Sequence, residues 1–385
     1  MATPSFSVED LLGWLKDKVD ASVINSDLYA GDIATARFKR PALLSTSKAD
    51  EVAYFFSKDY LAEVPTALPS VLVTGIPFVE PLRASGLPLL KKSVVIAASD
   101  PYRAMAIISG YLAESLSTVA HQPAIASPVA PNHFHPSAVI DPSAQIGSGV
   151  SIAAFCVVER GVKINDGSVL YPSVFLGPNA QLGRDCVLFP NVVIYEETII
   201  GDRARIHANT VIGSDGFGYA PIMTDGLVSG HEKIYHFGKV IIGDDVEIGA
   251  GVLIDRGTIG NTRIDSKVKL DNQVHIGHNC TIEEGAILCG CVSLAGGSRV
   301  GKYVYMGGMS AVGGGSKVGD RAKVGAMSGV GEDVPPGKTV FGIPARDHRS
   351  FFRIQSLLNR MLEEYESKKR NKRLSHEKNS ADPSG

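Results

Sequence analysis

The stretch DNQVHIGHNC, residues 271–280, holds the candidate chemistry of this chain. Its second histidine, His278, stands two residues past Ile276, and eighteen residues further on lies Gly296, in SLAGGS. A neutral imidazole takes a proton from an amine or hydroxyl as that group attacks a carbonyl carbon. A glycine has no side chain to screen its amide, so its N–H is open to hold charge developing on the carbonyl oxygen. Acyl transfer needs one group of each kind, provided that eighteen residues carry the chain from one turn of a coil to the next. Two other readings stand beside this one. His278 is an exposed coil residue without a catalytic role, or it joins His275 and His207 as a zinc ligand. His133 and His135 fall in a proline-rich stretch and read as chance spacing.

The element that must position these residues is visible as a period of six. Every sixth residue from Ile264 to Val330 is apolar, running through Leu270, Ile276, Ile282, Leu288 and Leu294 to the end. A helix repeats at 3.6 and a strand at 2, so neither alone produces this pattern. It is the signature of a parallel β-helix in which each face contributes one inward apolar residue, three faces make a rung, and residue i lies beneath residue i+18. An earlier ladder with the same period runs from Ile140 to Ile212, and glycines 147, 177, 183, 201 and 213 directly follow ladder positions, where corners ask for backbone freedom.

Around the ladders the chain divides as follows. Residues 1–120 lack the period and read as a small α/β domain. Ser7 and Asp10 can cap a helix with Val8, Leu11, Leu12, Leu15 and Val19 on its apolar face. Strands are expected at 70–74 and 93–97, and a helix led by Asp100 and Pro101 follows. Within AYFFSKDY, residues 53–60, Phe55 and Phe56 read as core, whereas Tyr54 and Tyr60, each with a polar tip, can also stack a nucleobase. Residues 121–137 form a linker, and 138–344 the β-helix. An insertion at 213–239, rich in glycine and aromatic or histidine rings, interrupts the helix and can carry binding. The ladder slips by two residues before Ile264, at IDRGTIG, which can shape a pocket. A C-terminal helix at 345–372 covers the open end of the coil, and 373–385 read as a disordered tail. That helix is basic, with nine Lys or Arg against four acids between Arg346 and Arg373; this is a solvated face or a surface for an acidic carrier protein.

Composition narrows the function. A net charge of −2 argues against a general nucleic-acid binder. Five cysteines, an odd number without Cys-x-x-Cys spacing, indicate a reduced compartment, and Cys186 and Cys280 read as small buried residues. No stretch has the roughly 20 apolar residues of a membrane span, and the N-terminal residues show no signal-peptide pattern, so a cytoplasmic protein is expected. GGGSK at 313–317 lacks phosphate-loop spacing, and neither a nucleophile elbow nor a dinucleotide fingerprint is present.

Taken together, DGFGYA, IIGDDVEIGA, IDRGTIG, DNQVHIGHN, AGGS and the closing GIPA resemble the UDP-3-O-acylglucosamine N-acyltransferases of lipid A biosynthesis over nearly the whole length. The expected fold is mainly β, a left-handed parallel β-helix of hexapeptide repeats with an N-terminal small α/β domain and a C-terminal helical extension. The resemblance implies His278 as general base and the Gly296 N–H as oxyanion donor. It also implies a 3-hydroxyacyl group carried on the phosphopantetheine of acyl carrier protein, with no other cofactor, and a homotrimer with active sites between subunits. A uridine pocket follows in the N-terminal domain, with Tyr54, Ser57 and Tyr60 at the spacing of its aromatic, asparagine and tyrosine positions. Asp271 is a candidate to orient the imidazole, and Asn272 and Gln273 to line the groove, with ordinary coil-surface roles equally open. Two departures stand out: serine replaces asparagine at 57, and Gly313–Gly315 stand where the family often has a second histidine. An O-acyltransferase acting on UDP-N-acetylglucosamine and a non-catalytic β-helix binding scaffold remain alternatives.

Overall fold

The computed structural model describes residues 4–116, 132–342 and 347–380. The chain divides into two compact units, Met1–Ile125 and Ala126–Gly385.

In the first unit a six-stranded sheet packs against helices. The Ser7 hydroxyl accepts from the Asp10 N–H at 3.0 Å and the Asp10 carboxylate accepts from the Ser7 N–H at 2.7 Å, a reciprocal cap that starts the helix Val8–Leu15. The helix stops sooner than its apolar pattern suggests, because Asp17 turns left-handed (φ 62°); Val19 lies past the end but is still buried. The strands Val71–Gly75 and Val94–Ala98 are buried at every residue, as parallel strands covered on both faces are. Pro101–Leu116 is the expected second long helix, with the Asp100 carboxylate accepting from the Arg103 N–H.

The second unit is a left-handed parallel β-helix. Its two-residue strands stack into three parallel sheets of eleven, ten and nine strands among the described residues. Pairs such as His275↔Ser293 and Ile276↔Leu294 fix the eighteen-residue rung. The ladder residues fill the interior together with a second row two positions earlier, among them Val150, Cys156, Val174, Cys186 and Cys280. The coil begins before 138: His133–Phe134 pair with Ser151–Ile152, so these residues belong to the first rung and not to a linker. Phe134 stands six residues before Ile140 and so continues the ladder by one step. Residues 117–131, most of the expected linker, lie outside the described residues.

The corner glycines work differently from the expectation. Backbone reversal occurs three residues past the ladder position, where Asn179, Asn191, Asn209 and Asn279 take φ of 58–63°. Gly183, directly after its ladder residue, needs its lack of a side chain for another reason: a Cβ there would run into the Gly201 carbonyl one rung on.

The C-terminal helix spans His348–Ser380, eight residues past its expected end and over most of the stretch read as disordered. Nothing in that stretch breaks a helix, since neither glycine nor proline occurs between His348 and Pro383. Residues 381–385 lie outside the described residues.

The insertion is an ordered hairpin, Tyr219–Thr224 against Leu227–Lys233, closed by Asp225 and Gly226 with φ of 52° and 79°. Its return segment is tied to the slipped rung: the Phe237 and Gly238 N–H groups donate to the Thr258 and Gly257 carbonyls, both at 2.9 Å. The buried Arg256 guanidinium donates to the Gly238 carbonyl at 2.8 Å and pairs with Glu196. The slip itself is an addition of four residues, because Ile254 pairs with Ile276, 22 residues on instead of eighteen. A Cβ on Gly238 would overlap the Gly260 carbonyl oxygen. Gly238→Ala is therefore expected to cost about 1–3 kcal/mol, read as a lower denaturation midpoint, because backbone must move to admit it.

Candidate active site

His278 follows the strand His275–Ile276 at a corner of the coil. Ile276 points into the core, while the imidazole lies outside, half-buried. Asn279, next in the chain, is left-handed and fully engaged. Its Oδ1 accepts from the Thr258 N–H at 3.0 Å, its Nδ2 donates to the Ile259 carbonyl at 2.8 Å, and its N–H donates to the Thr262 hydroxyl at 2.9 Å. These bonds fix which end of the amide is oxygen. The Asn279 Oδ1 lies 3.1 Å from Nδ1 of His278, and an amide oxygen only accepts, so the proton sits on Nδ1 and Nε2 carries the lone pair of a base. The Thr258 hydroxyl faces the same Nδ1 at 3.4 Å.

The free edge of the ring lies over Gly296. A Cβ built on Gly296 would come within 2.5 Å of Nε2 and 2.6 Å of Cε1. Glycine at 296 is thus a condition for the imidazole to rest where it does. Its N–H is open for a second reason. At several other corners the N–H two residues past a ladder position is held by a side chain one rung on: Asp166 holds Ser148, Asn272 holds Ala250 and Asp320 holds Lys302. The residue one rung beyond Gly296 is Gly314, with nothing to offer, and among the described residues the Gly296 N–H has no acceptor. Gly314 thus leaves the Gly296 N–H uncovered.

The insertion brings a second imidazole here. His236 packs edge to face against His278, ring centres 5.3 Å apart and planes at 73°. Gly216 makes room for both, since a Cβ on it would lie 2.8 Å from the His278 Cβ and 2.9 Å from the His236 Nε2. Asp255 is the buried carboxylate of this cluster. Burial pushes its carboxyl up from the ordinary range, against the opposing pull of His275, a Ser214 hydrogen bond at 3.3 Å, and the His278 and His236 rings. Cys280, two residues past His278, supplies no nucleophile. It is buried, its thiol donates to the Ala295 carbonyl, and burial pushes its pKa up to about 11.

The structure separates some residues that the sequence places close together. Asp271, Asn272 and Gln273 occupy the preceding corner, one face away from His278. Asp271 accepts from the Asn272 N–H at 2.7 Å, Asn272 caps Ala250, and Gln273 turns the corner at φ 59° with its amide oxygen 3.4 Å from the Cys291 thiol. Asp271 thus does not orient the imidazole; Asn279 and Thr258 hold that nitrogen instead. His207 stacks on Phe189 at 4.5 Å and faces Glu247. Among the described residues, no three His, Cys, Asp or Glu side chains group so as to hold a metal.

The first unit has its own cleft of about 810 Å³, lined by Leu43, Tyr54, Phe56, Tyr60, Tyr102 and Met105 among others. Phe55 is core, its ring tilted against Phe78, but Phe56 lines the cleft beside Tyr102, because alternate residues of the strand Asp50–Phe55 and its continuation face opposite sides. The Tyr54 hydroxyl is buried without a partner among the described residues, and that burial holds its proton on far above the usual phenol range. Ser57 caps the following 3₁₀ turn, its hydroxyl engaged with Asp59, and is not among the lining residues.

A model of bacterial transferase hexapeptide repeats (six repeats) matches residues 179–214. The UDP-3-O-acylglucosamine N-acyltransferase of Wolinella succinogenes is 40% identical over 178 residues, 46% of this chain and 55% of that relative. The one from Anaeromyxobacter dehalogenans is 37% identical over 257 residues, 66% of this chain and 72% of the relative. The solved UDP-N-acetylglucosamine acyltransferase of Arabidopsis is 29% identical with a TM-score of 0.48, covering 54% of this chain and 71% of that one. The chain spans just over half the length of the Wolinella relative and about three quarters of others.

Proposed function

The chain belongs to the family of UDP-3-O-acylglucosamine N-acyltransferases, and on that premise we propose that it transfers a 3-hydroxyacyl group from acyl carrier protein to the 2-amino group of a UDP-3-O-acylglucosamine. In this reading Nε2 of His278 accepts a proton from the amine as nitrogen attacks the thioester carbon. A C–N bond forms, and the carbonyl electrons move to oxygen, where the Gly296 N–H meets them. The tetrahedral species then expels sulfur. The C–S bond breaks, and the proton held by the imidazole leaves with the carrier thiol. Base and donor are both regenerated, and no further cofactor enters.

The observation that supports this reading best is the imidazole, protonated on Nδ1, standing with its basic nitrogen over a glycine whose N–H has no acceptor among the described residues. In the first unit, the aromatic cleft around Tyr54, Phe56, Tyr60 and Tyr102 offers flat faces to a uracil ring. A homotrimer, an acidic carrier protein meeting the basic C-terminal helix, and a cytoplasmic setting complete the proposal; no helix among the described residues is long and apolar enough to cross a membrane.

The test offers purified protein a 3-hydroxyacyl carrier protein with either UDP-3-O-acylglucosamine or UDP-N-acetylglucosamine. Acylation of the amine at least about a hundredfold faster than of the hydroxyl is expected, a difference of the size a site built around a polar group achieves. Faster acylation of the hydroxyl would make the chain an O-acyltransferase, and transfer to neither acceptor would leave a binding scaffold.

A further inference from the structure

His236 belongs to the hairpin insertion and lies 42 residues before His278, yet its ring rests against that imidazole. Its Nδ1 is 3.0 Å from the Ile234 carbonyl, an acceptor, so the proton of the neutral ring is on Nδ1 and the lone pair is on Nε2. That Nε2 is buried and, among the described residues, receives no hydrogen bond; the residue as a whole is 5% exposed. Buried acceptors are nearly always paired, and one left open in a tightly anchored ring calls for an explanation. Packing alone does not supply one, because a phenyl ring would fill the same volume without a stranded nitrogen.

We propose that His236 is a positioning residue for the base: its ring fixes the His278 imidazole against Gly296, and its unpartnered Nε2 stabilises the positive charge that His278 gains when it takes the proton. The nitrogen is the negative end of a strong ring dipole. It finds nothing to interact with while His278 is neutral and a cationic neighbour once His278 is protonated. An interaction that strengthens only as the reaction proceeds lowers the barrier and leaves ground-state binding alone. The anchoring suits this role, since the return segment is held by the Thr258 and Gly257 carbonyls and by Arg256, and Thr258 itself faces the other nitrogen of His278. Asp255 on the coil is the carboxylate that both rings face, together with His275, and the elements that hold the pair also carry the Arg256–Glu196 pair and Lys233, which is paired with Asp215 at 2.7 Å in the insertion.

The inference takes from the proposed function only that His278 is a proton acceptor. His236→Phe keeps the ring and removes the nitrogen, and His236→Ala removes both. In the phenylalanine variant the expected result is a melting temperature equal to or above that of the wild type, an unchanged KM for the nucleotide substrate, and kcat lower by about tenfold. The titration midpoint of His278, followed by NMR of histidine-labelled protein and assigned with His278→Ala, should fall by about one unit, the equivalent of that tenfold change. The alanine variant should lose stability as well. The NMR measurement needs no turnover, so it stands or falls apart from the acyltransferase reading. An unshifted His278 midpoint in the phenylalanine variant would overturn the proposal, as would wild-type kcat, or a kcat lost only in proportion to lost folding.

Discussion

Replacing His278 by alanine is expected to lower kcat/KM by about a thousandfold, within the range that a general base contributes, while the nucleotide substrate's KM stays within a few-fold of wild type. The imidazole is half-buried on the outside of a coil whose interior is sealed by Ile276 and its ladder, so the protein should fold and melt as before. Asn279 keeps its bonds to Thr258, Ile259 and Thr262, and the rung keeps its shape. Two measurements separate lost chemistry from lost structure: steady-state kinetics beside a thermal melt, and added imidazole, which restores part of the rate if an empty site for a base remains. A variant that keeps more than about a tenth of wild-type activity would remove His278 from the reaction.

Gly296→Ala has the second largest expected effect and the less obvious one. Gly296 is not among the glycines with positive φ, so alanine meets no backbone strain there. Its methyl group would instead lie 2.5 Å from Nε2 of His278, forcing the ring to swing away, and it would crowd the N–H to which the proposed mechanism gives the oxyanion. A displacement of about an ångström in a reacting group costs on the order of a hundredfold, so kcat should fall about one hundred- to a thousandfold with little change in melting temperature. Ala295, the residue before it, is the internal control. It lies outside the predicted collision, and Ala295→Ser should leave kcat within about threefold. Equal kcat for Gly296→Ala and wild type would mean that the imidazole does not work from above this glycine.

The coil was legible because its interior admits little else. A narrow prism takes apolar residues at a fixed interval, and Ile264 to Val330 keep that interval without a break, which also tells that 278 and 296 are neighbours. What the interval does not carry is the direction of a side chain from a corner. Asp271 is seven residues from His278 in sequence but a full face away in space, so its nearness in the chain misled. Asn279 is adjacent, but its role depends on a left-handed turn and on four added residues that bring Thr258 within reach. His236 was hidden by length. The rung that contains the hairpin joins Ile212 to Ile254 across 42 residues, and no periodicity survives such a detour. Its one trace in the sequence was the ring content of the inserted segment. Two adjacent phenylalanines look alike until the strand's alternation is known, so Phe56 reads as core, and residues 373–380 read as tail although neither glycine nor proline interrupts the helix there.

The way the coil is capped has a consequence for descent. Every rung offers the same backbone, and at several corners an acid, amide or hydroxyl from the next rung ties down the amide below. Converting such a corner into a reactive one takes the loss of two small side chains and the gain of one ring. A whole rung can then be duplicated or deleted elsewhere along the axis and carry this trio unchanged, altering only how far it stands from either mouth of the prism. Architectures of this kind can lengthen or shorten around a working centre, whereas a globular enzyme would have to repack its core for each residue gained.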